Sequence, residues 1–277
     1  MKRLWFILLA SLTLVGCGTK LVYDNLDWFA KQYIEEFVDL NRTQQSLLSD
    51  SIQAATPWHK QSEIPQYITH LDELMSIEPR EFTQEQLVTQ QNKFRQHSLR
   101  LFRHFTPSIV EFVSNMSDAQ VEQLMNEIRV RHIKFKRKYA QKSEAELREV
   151  YRQRLEEGLN EWLGDLTPSQ LQSTELWAQQ WKVTTPLWSQ YQTQIRVELT
   201  KMFATRGDKG ALQDALEALV YQPEQFYSAE LAQRIEFNTD LAQRYTLEII
   251  QQMTPKQTQL LREELQDWRE IALELAE

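Results

Sequence analysis

Leu166-Thr167-Pro168-Ser169-Gln170 and Met253-Thr254-Pro255-Lys256-Gln257 share one pattern: an apolar residue, a hydroxyl, two variable positions and a glutamine. In such a capping box the hydroxyl accepts from the backbone N–H three residues on, and the glutamine reaches back to the N–H of the capping residue. Two of the donors left free at a helix start are satisfied at once. A proline at the first helical position gives up an N–H that has no partner there anyway. The pattern recurs at Leu40-Asn41-Arg42-Thr43-Gln44, Phe82-Thr83-Gln84-Glu85-Gln86 and Met116-Ser117-Asp118-Ala119-Gln120. Caps at 41, 83, 117, 167 and 254 are irregularly spaced and leave room for about two helices in most intervals, so they predict a bundle of helical hairpins rather than a strict solenoid.

Between the boxes, apolar residues recur at helical spacing. Ile64, Tyr67, Ile68, Leu71, Leu74 and Met75 form one face; Ser143 with Glu146 opens a helix carrying Leu147, Val150, Tyr151, Leu155, Leu159, Trp162 and Leu163. Asp24 and Asp27 are read as the start of the first mature helix, with Leu26, Phe29, Tyr33, Phe37 and Leu40 as its apolar stripe. Thr106-Pro107 and Thr185-Pro186 either kink long helices or start new ones. Arg206 to Gly210 reads as a loop, and Leu260, Leu261, Leu265, Trp268, Ile271 and Leu275 mark the last helix. Glycine is scarce, and no stretch alternates apolar and polar residues over a strand length. The expected class is therefore all-α.

The amino end carries an address. Met1-Lys2-Arg3 is followed by an apolar run from Leu4 to Val15, the right length for an export signal and too short for an ordinary bilayer span. Leu14-Val15-Gly16-Cys17 resembles the lipobox of bacterial lipoproteins, which implies acylation of Cys17 and removal of residues 1–16. Residues 17–23 then form the lipidated cysteine and a short tether, and 24–277 the helical domain. Gly18 is not the aspartate that retains lipoproteins on the inner membrane, so the periplasmic face of the outer membrane is the expected location. Losing Lys2 and Arg3 moves the formal charge from −8 to −10, a balance opposite to that of nucleic-acid proteins. With the one cysteine committed to lipid, no thiol remains for a disulfide, a nucleophile or a zinc site.

Candidate chemistry is sparse. Trp58, His59, Glu63 and Tyr67 gather near Pro65, with His59 and Glu63 one turn apart. A metal or acid/base pair is one reading; a helix junction redirected by Pro65 is favoured, because a coordination shell needs three or four converging ligands. No Glu-x-x-His, His-Glu-x-x-His, phosphate-binding glycine loop or Gly-x-Ser-x-Gly is present, and no cofactor is expected. Trp177, Trp181, Trp188 and Tyr191 read as aromatic core before they read as a binding cleft.

Arg129, Arg131, Lys134, Lys136, Arg137 and Lys138 are the one strong basic run in an acidic chain. Val121, Leu124, Met125, Ile128, His132, Phe135 and Tyr139 share a stripe on the same helix, which makes His132 a core residue by expectation. The acids Glu144, Glu146, Glu149, Glu156, Glu157 and Glu161 of the next helix are expected to lie antiparallel to the run and balance it. On that reading, changing Lys134, Lys136 and Lys138 to Glu leaves binding unaltered; on the rival reading the three lysines belong to an interaction surface.

From Tyr33 to Leu74 the chain carries Val38-Asp39-Leu40, Gln44, Trp58-His59-Lys60 and Glu63-Ile64-Pro65-Gln66-Tyr67 in order. This combination resembles a family of Gram-negative lipoproteins known only as a domain of unknown function, and the resemblance covers most of the mature chain. It implies an address and no catalytic residues. The Leu-Thr-Pro-Ser-Gln box is also similar to the LTxxQ repeats of Spy-like periplasmic chaperones. The expected role is non-enzymatic binding, scaffolding or chaperone-like work, with the lipid bilayer and an envelope protein as partners and no nucleic acid. An envelope hydrolase or peptidoglycan-directed enzyme is the rival class.

Overall fold

All five boxes form and each opens a helix. In a computed structural model that describes the backbone of residues 15–277 and the side chains of residues 18–277, Gln44 N–H donates to Asn41 Oδ1 at 3.0 Å and Asn41 N–H to Gln44 Oε1 at 3.1 Å. The same reciprocal pair closes at Thr83–Gln86, Ser117–Gln120, Thr167–Gln170 and Thr254–Gln257. Phe82, Met116 and Met253, each just before a cap, are buried as staples. The described residues are mostly helical, with no strand among them. Residues 1–14 and the side chain of Cys17, hence the leader and the expected lipidation, lie outside the described part.

In chain order the helices are α1 (Val15–Asp24), α2 (Leu26–Glu35), α3 (Arg42–Trp58), α4 (Ile64–Met75), α5 (Gln84–Ser114), α6 (Asp118–Tyr139), α7 (Glu144–Leu163), α8 (Pro168–Gln180), α9 (Thr185–Ala204), α10 (Lys209–Tyr221), α11 (Ala229–Gln251) and α12 (Pro255–Ala276). The expected tether is therefore helical, and Asp24 ends a helix instead of capping one. Pro107 sits inside the long α5, where it removes the N–H that would reach the Arg103 carbonyl; beside it, Thr106 Oγ1 donates to the Phe102 carbonyl at 2.9 Å. Pro186 instead lies in the first turn of α9, where its missing N–H is harmless.

The helices form two compact units. One comprises the chain up to Met75 together with Leu265–Glu277. Its core packs Ile64 against Ile271, Ala272 and Leu275, flanked by Tyr23, Tyr67 and Ile68. Arg269 Nε donates to Asp72 Oδ1 at 2.6 Å at the edge of that core. The other unit, Ser76–Glu264, is centred on Leu163, Trp177, Leu241, Tyr245, Ile249 and Met253. Trp177 stacks on Tyr245 and Trp181 on Tyr151, the latter rings 4.0 Å apart, so these two tryptophans are core, as their helical spacing suggested. Within this unit α7 packs on α8, α8 on α11, α5 on α10 and α6 on α9. Gly164 ends α7 at φ +69° and ψ −150°, a conformation open to glycine and hardly any other residue.

Candidate functional site

Pro57 and Pro65 bracket the residues singled out in the first unit. Neither can donate to the helical ladder, and the chain between them widens into a π-helical turn, His59–Glu63, in which Ile64 N–H reaches the His59 carbonyl. The helix thus continues where the sequence suggested that Pro65 redirects it. The wide turn brings Trp58, His59, Glu63 and Tyr67 together. Tyr23 Oη and His59 Nδ1 share a hydrogen bond of 3.0 Å, and the His59 ring lies 5.6 Å from the Tyr67 ring and 6.4 Å from Trp58. Glu63 is 2% exposed and accepts from Gln66 Nε2 at 3.3 Å. Burial pushes the His59 imidazolium pKa down, and the nearby Glu63 charge only partly offsets it. A neutral imidazole between two phenol rings, beside buried Ile64, acts as a packing node. Among the described residues, no group of three His, Cys, Asp or Glu side chains converges as metal ligands would.

The second unit holds the concave site. The carboxyl end of α6 and the first half of α9 line a groove of about 700 Å³. Its lining combines the basic side chains His132, Lys136, Lys142 and Arg196 with Phe135, Tyr139, Leu147 and Pro186, and no carboxylate lines it. Arg196 Nη1 donates to His132 Nδ1 at 2.7 Å. Desolvation first, and then the Arg196 charge, hold the His132 pKa below the ordinary value. Lys134 points to solvent, and the Lys138 ammonium sits 5.5 Å above the Tyr139 ring. Of the three predicted interaction lysines, only Lys136 lines the groove.

Two expectations about α6 change. Its apolar stripe exists, but every residue on it, His132 included, is only half-buried, because α9 covers a single flank of the helix. Three of the six acids expected to balance the run are engaged on α7 itself: Glu144 with Arg148 at 3.1 Å, and Glu149 and Glu156 with Arg152 at 2.7 and 2.6 Å. These are pairs one turn apart on α7 itself, readable from the spacing. What joins α7 to the basic helix is Arg154, whose Nη2 donates to the Tyr139 hydroxyl at 2.6 Å and lowers that phenol's pKa. Lys142 and Arg196 escaped sequence reasoning, since neither belongs to the basic run.

The two depressed histidines set a pH dependence. A histidine whose folded pKa lies below its unfolded value costs nothing above the unfolded value, near 6.5, and destabilises the fold as pH falls below it, because the unfolded chain takes the proton more readily. Stability is expected to be flat above about pH 7 and to fall toward about pH 5. His59→Gln with His132→Gln should flatten that fall in thermal melts across the range. An unchanged profile in the double variant would assign the acid sensitivity to other groups.

The profile of a family of unknown function, DUF6279, matches residues 36–232, a span that contains the π turn and both helices of the groove. No curated protein matches the chain, and no solved structure does.

Proposed function

Because this chain belongs to the DUF6279 family, whose function is unknown, its role must be argued from its own residues, and we propose a lipid-anchored envelope protein that binds an acidic, partly apolar protein segment without transforming it. The observation that carries this reading is the α6–α9 groove: the cations Lys136, Lys142 and Arg196 with His132, interleaved with apolar side chains and without an acid, in a chain of net charge −8. A groove of that size falls within the range of ligand sites. A hydrolytic centre would call instead for a general acid and a base converging in an open cleft; His59 with Glu63 is packed under tyrosines, and His132 in the groove is bonded to Arg196 with no carboxylate in the lining.

The anchor half of the proposal rests on the lipobox Leu14 to Cys17 behind a charged start and a short apolar run. It puts the protein on the periplasmic face of the outer membrane, held there by the acyl chains of Cys17. No helix of the described residues is long and apolar enough to cross a membrane. A chaperone-like role fits the groove better than it fits the LTxxQ likeness: Gln170 and Gln257 are buried caps, which makes the likeness one of helix architecture and not of client surface.

A fluorescent peptide alternating Glu and Leu serves as the probe. Lys136→Glu with Lys142→Glu is expected to weaken its binding at least about tenfold, equivalent to about 1.4 kcal/mol, with a loss of salt dependence. Lys134→Glu, outside the groove, should change binding by less than about twofold. This departs from the expectation that the triple change at 134, 136 and 138 does nothing, and the reason is the position of Lys136. Equal effects of the inside and outside substitutions, or none, would remove the groove as the site.

A further inference from the structure

Helix α2 is amphipathic in the wrong sense for a helix on a water-soluble body. At about 100° per residue, Leu26, Tyr33, Phe29 and Trp28 fall on an arc of about 160°, and Asp27, Lys31 and Glu35 fall on the opposite side. The charged side is the one turned to the fold. Asp27 accepts from Ser49 Oγ at 3.0 Å and pairs with Lys31 at 3.5 Å, and Glu35 accepts from Gln45 Nε2 at 3.0 Å, both hydrogen-bond partners being on α3. The aromatic side is left outside: Trp28 is 54% exposed and Tyr33 63%, with Phe29 packed edge-on against Trp28. On α1, Leu21 is 63% exposed and Val22 is exposed beside it. Of the apolar stripe read from the sequence, Leu26, Phe29 and Tyr33 lie on α2 and face away from the core, whereas Phe37 and Leu40 fall beyond the end of the helix.

We infer that this aromatic face lies in the interface of the same membrane leaflet that holds the acyl chains of Cys17, so that α1 and α2 form an interfacial helix pair. The inference rests on the lipoprotein reading above. Three observations choose a lipid surface over a protein. The face starts four residues after the acylated position, about 6 Å along a helix, which leaves α1 no length in which to leave the bilayer. Its composition is Trp, Tyr, Phe and Leu, the set that sits at the boundary between headgroups and acyl chains. The charges Asp27, Lys31 and Glu35 of α2 are turned to the fold, Lys20 of α1 pairs with Asp24, and residues 18–36 hold two lysines against four acids, so the segment has no excess of positive charge to draw it to an anionic surface. Insertion would be driven by apolar burial, which predicts indifference to salt and to anionic lipid.

The test uses the full chain, purified with its native amino terminus and reconstituted into phosphatidylcholine vesicles. Its mass is measured first. If Cys17 carries acyl chains, a cysteine introduced by Phe29→Cys or Tyr33→Cys is the only free thiol in the protein. An environment-sensitive fluorophore on either position is expected to be quenched by lipids brominated on their acyl chains about threefold more strongly than the same label on the exposed Asp50→Cys of α3, at low and high salt alike. Acylated protein whose labels at 29 and 33 are quenched no more than the label at 50 would overturn the inference and leave the anchor standing. Self-quenching between copies through position 29 would overturn it in favour of a homodimer contact. A mature protein without acyl chains would take down the lipoprotein reading, and this inference with it.

Discussion

Gln170→Leu is expected to destabilise the second unit by about 3 kcal/mol, more than other exchanges of one uncharged side chain for another of similar size in this protein. Gln170 is 0% exposed and is the N3 residue of its own capping box, accepting from Thr167 N–H at 3.0 Å. It is also paired to the N3 residue of another box. Gln257 Nε2 donates to Gln170 Oε1 at 2.8 Å, and Gln170 Nε2 donates to Gln257 Oε1 at 3.2 Å. Gln257 Nε2 additionally reaches the Asp165 carbonyl at 3.0 Å. The two Thr-Pro boxes therefore lock the starts of α8 and α12 face to face through an amide pair that water does not reach. Leucine fills the volume, but it takes the partner from the part-buried Thr167 N–H and one of the two bonds from each atom of the buried Gln257 amide, where an unmade bond costs more than a made one gains. Gln257→Leu should cost a similar amount, and the double change should cost about 1–2 kcal/mol less than the sum. Urea midpoints of the body lacking residues 1–17 measure all three. Losses below about 1 kcal/mol that simply add would show that the amide pair does not hold the two helix starts together.

The second large effect is all-or-none. Cys17→Ala is expected to leave the precursor uncleaved and free of acyl chains, because in a lipoprotein both cleavage and acylation act around that one thiol. At about 0.8 kcal/mol per buried CH₂, two or three acyl chains hold a protein on a bilayer where one gives only marginal binding. The variant should therefore shift from acyl-anchored mature protein to full-length precursor in membrane fractions analysed by mass. Mature-length protein retained on the membrane without Cys17 would remove the anchor from the account.

Those two sites also show what the sequence made legible. The caps were legible because a capping box is closed within four residues, and all five form. That Gln170 and Gln257 pair with each other was not, since nothing local encodes a contact 87 residues away. The same limit separates the two candidate sites. Trp58, His59, Glu63 and Tyr67 lie within three turns and were found together, whereas Tyr23, which completes the node, is 36 residues away in a stretch read as a tether. Lys136 was found in the basic run; Arg196, its neighbour in the groove, is 64 residues from His132 and has no local signature.

Periodicity fixed which residues share a stripe and left open what the stripe faces. On α6 the stripe is half-covered by α9, and on α2 it faces outward because Asp27 and Glu35 make the contacts to α3. Glu144, Glu149 and Glu156 of α7 were assigned to a neighbouring helix although each has an arginine three or four residues away on α7 with which it pairs.

The central claim is that the α6–α9 groove of an anchored protein receives an acidic protein segment. Its most direct test is a photo-crosslinking amino acid placed at Ser189, on the groove wall, in full-length chain expressed in its native envelope, with the same probe at the exposed Lys134 outside the groove as reference. The account predicts a discrete adduct from position 189 whose crosslinked peptide is acidic, that is lost when Lys136 and Lys142 are changed to Glu, and that is missing from position 134. Equal labelling from both positions, or an adduct indifferent to the two lysines, would contradict it.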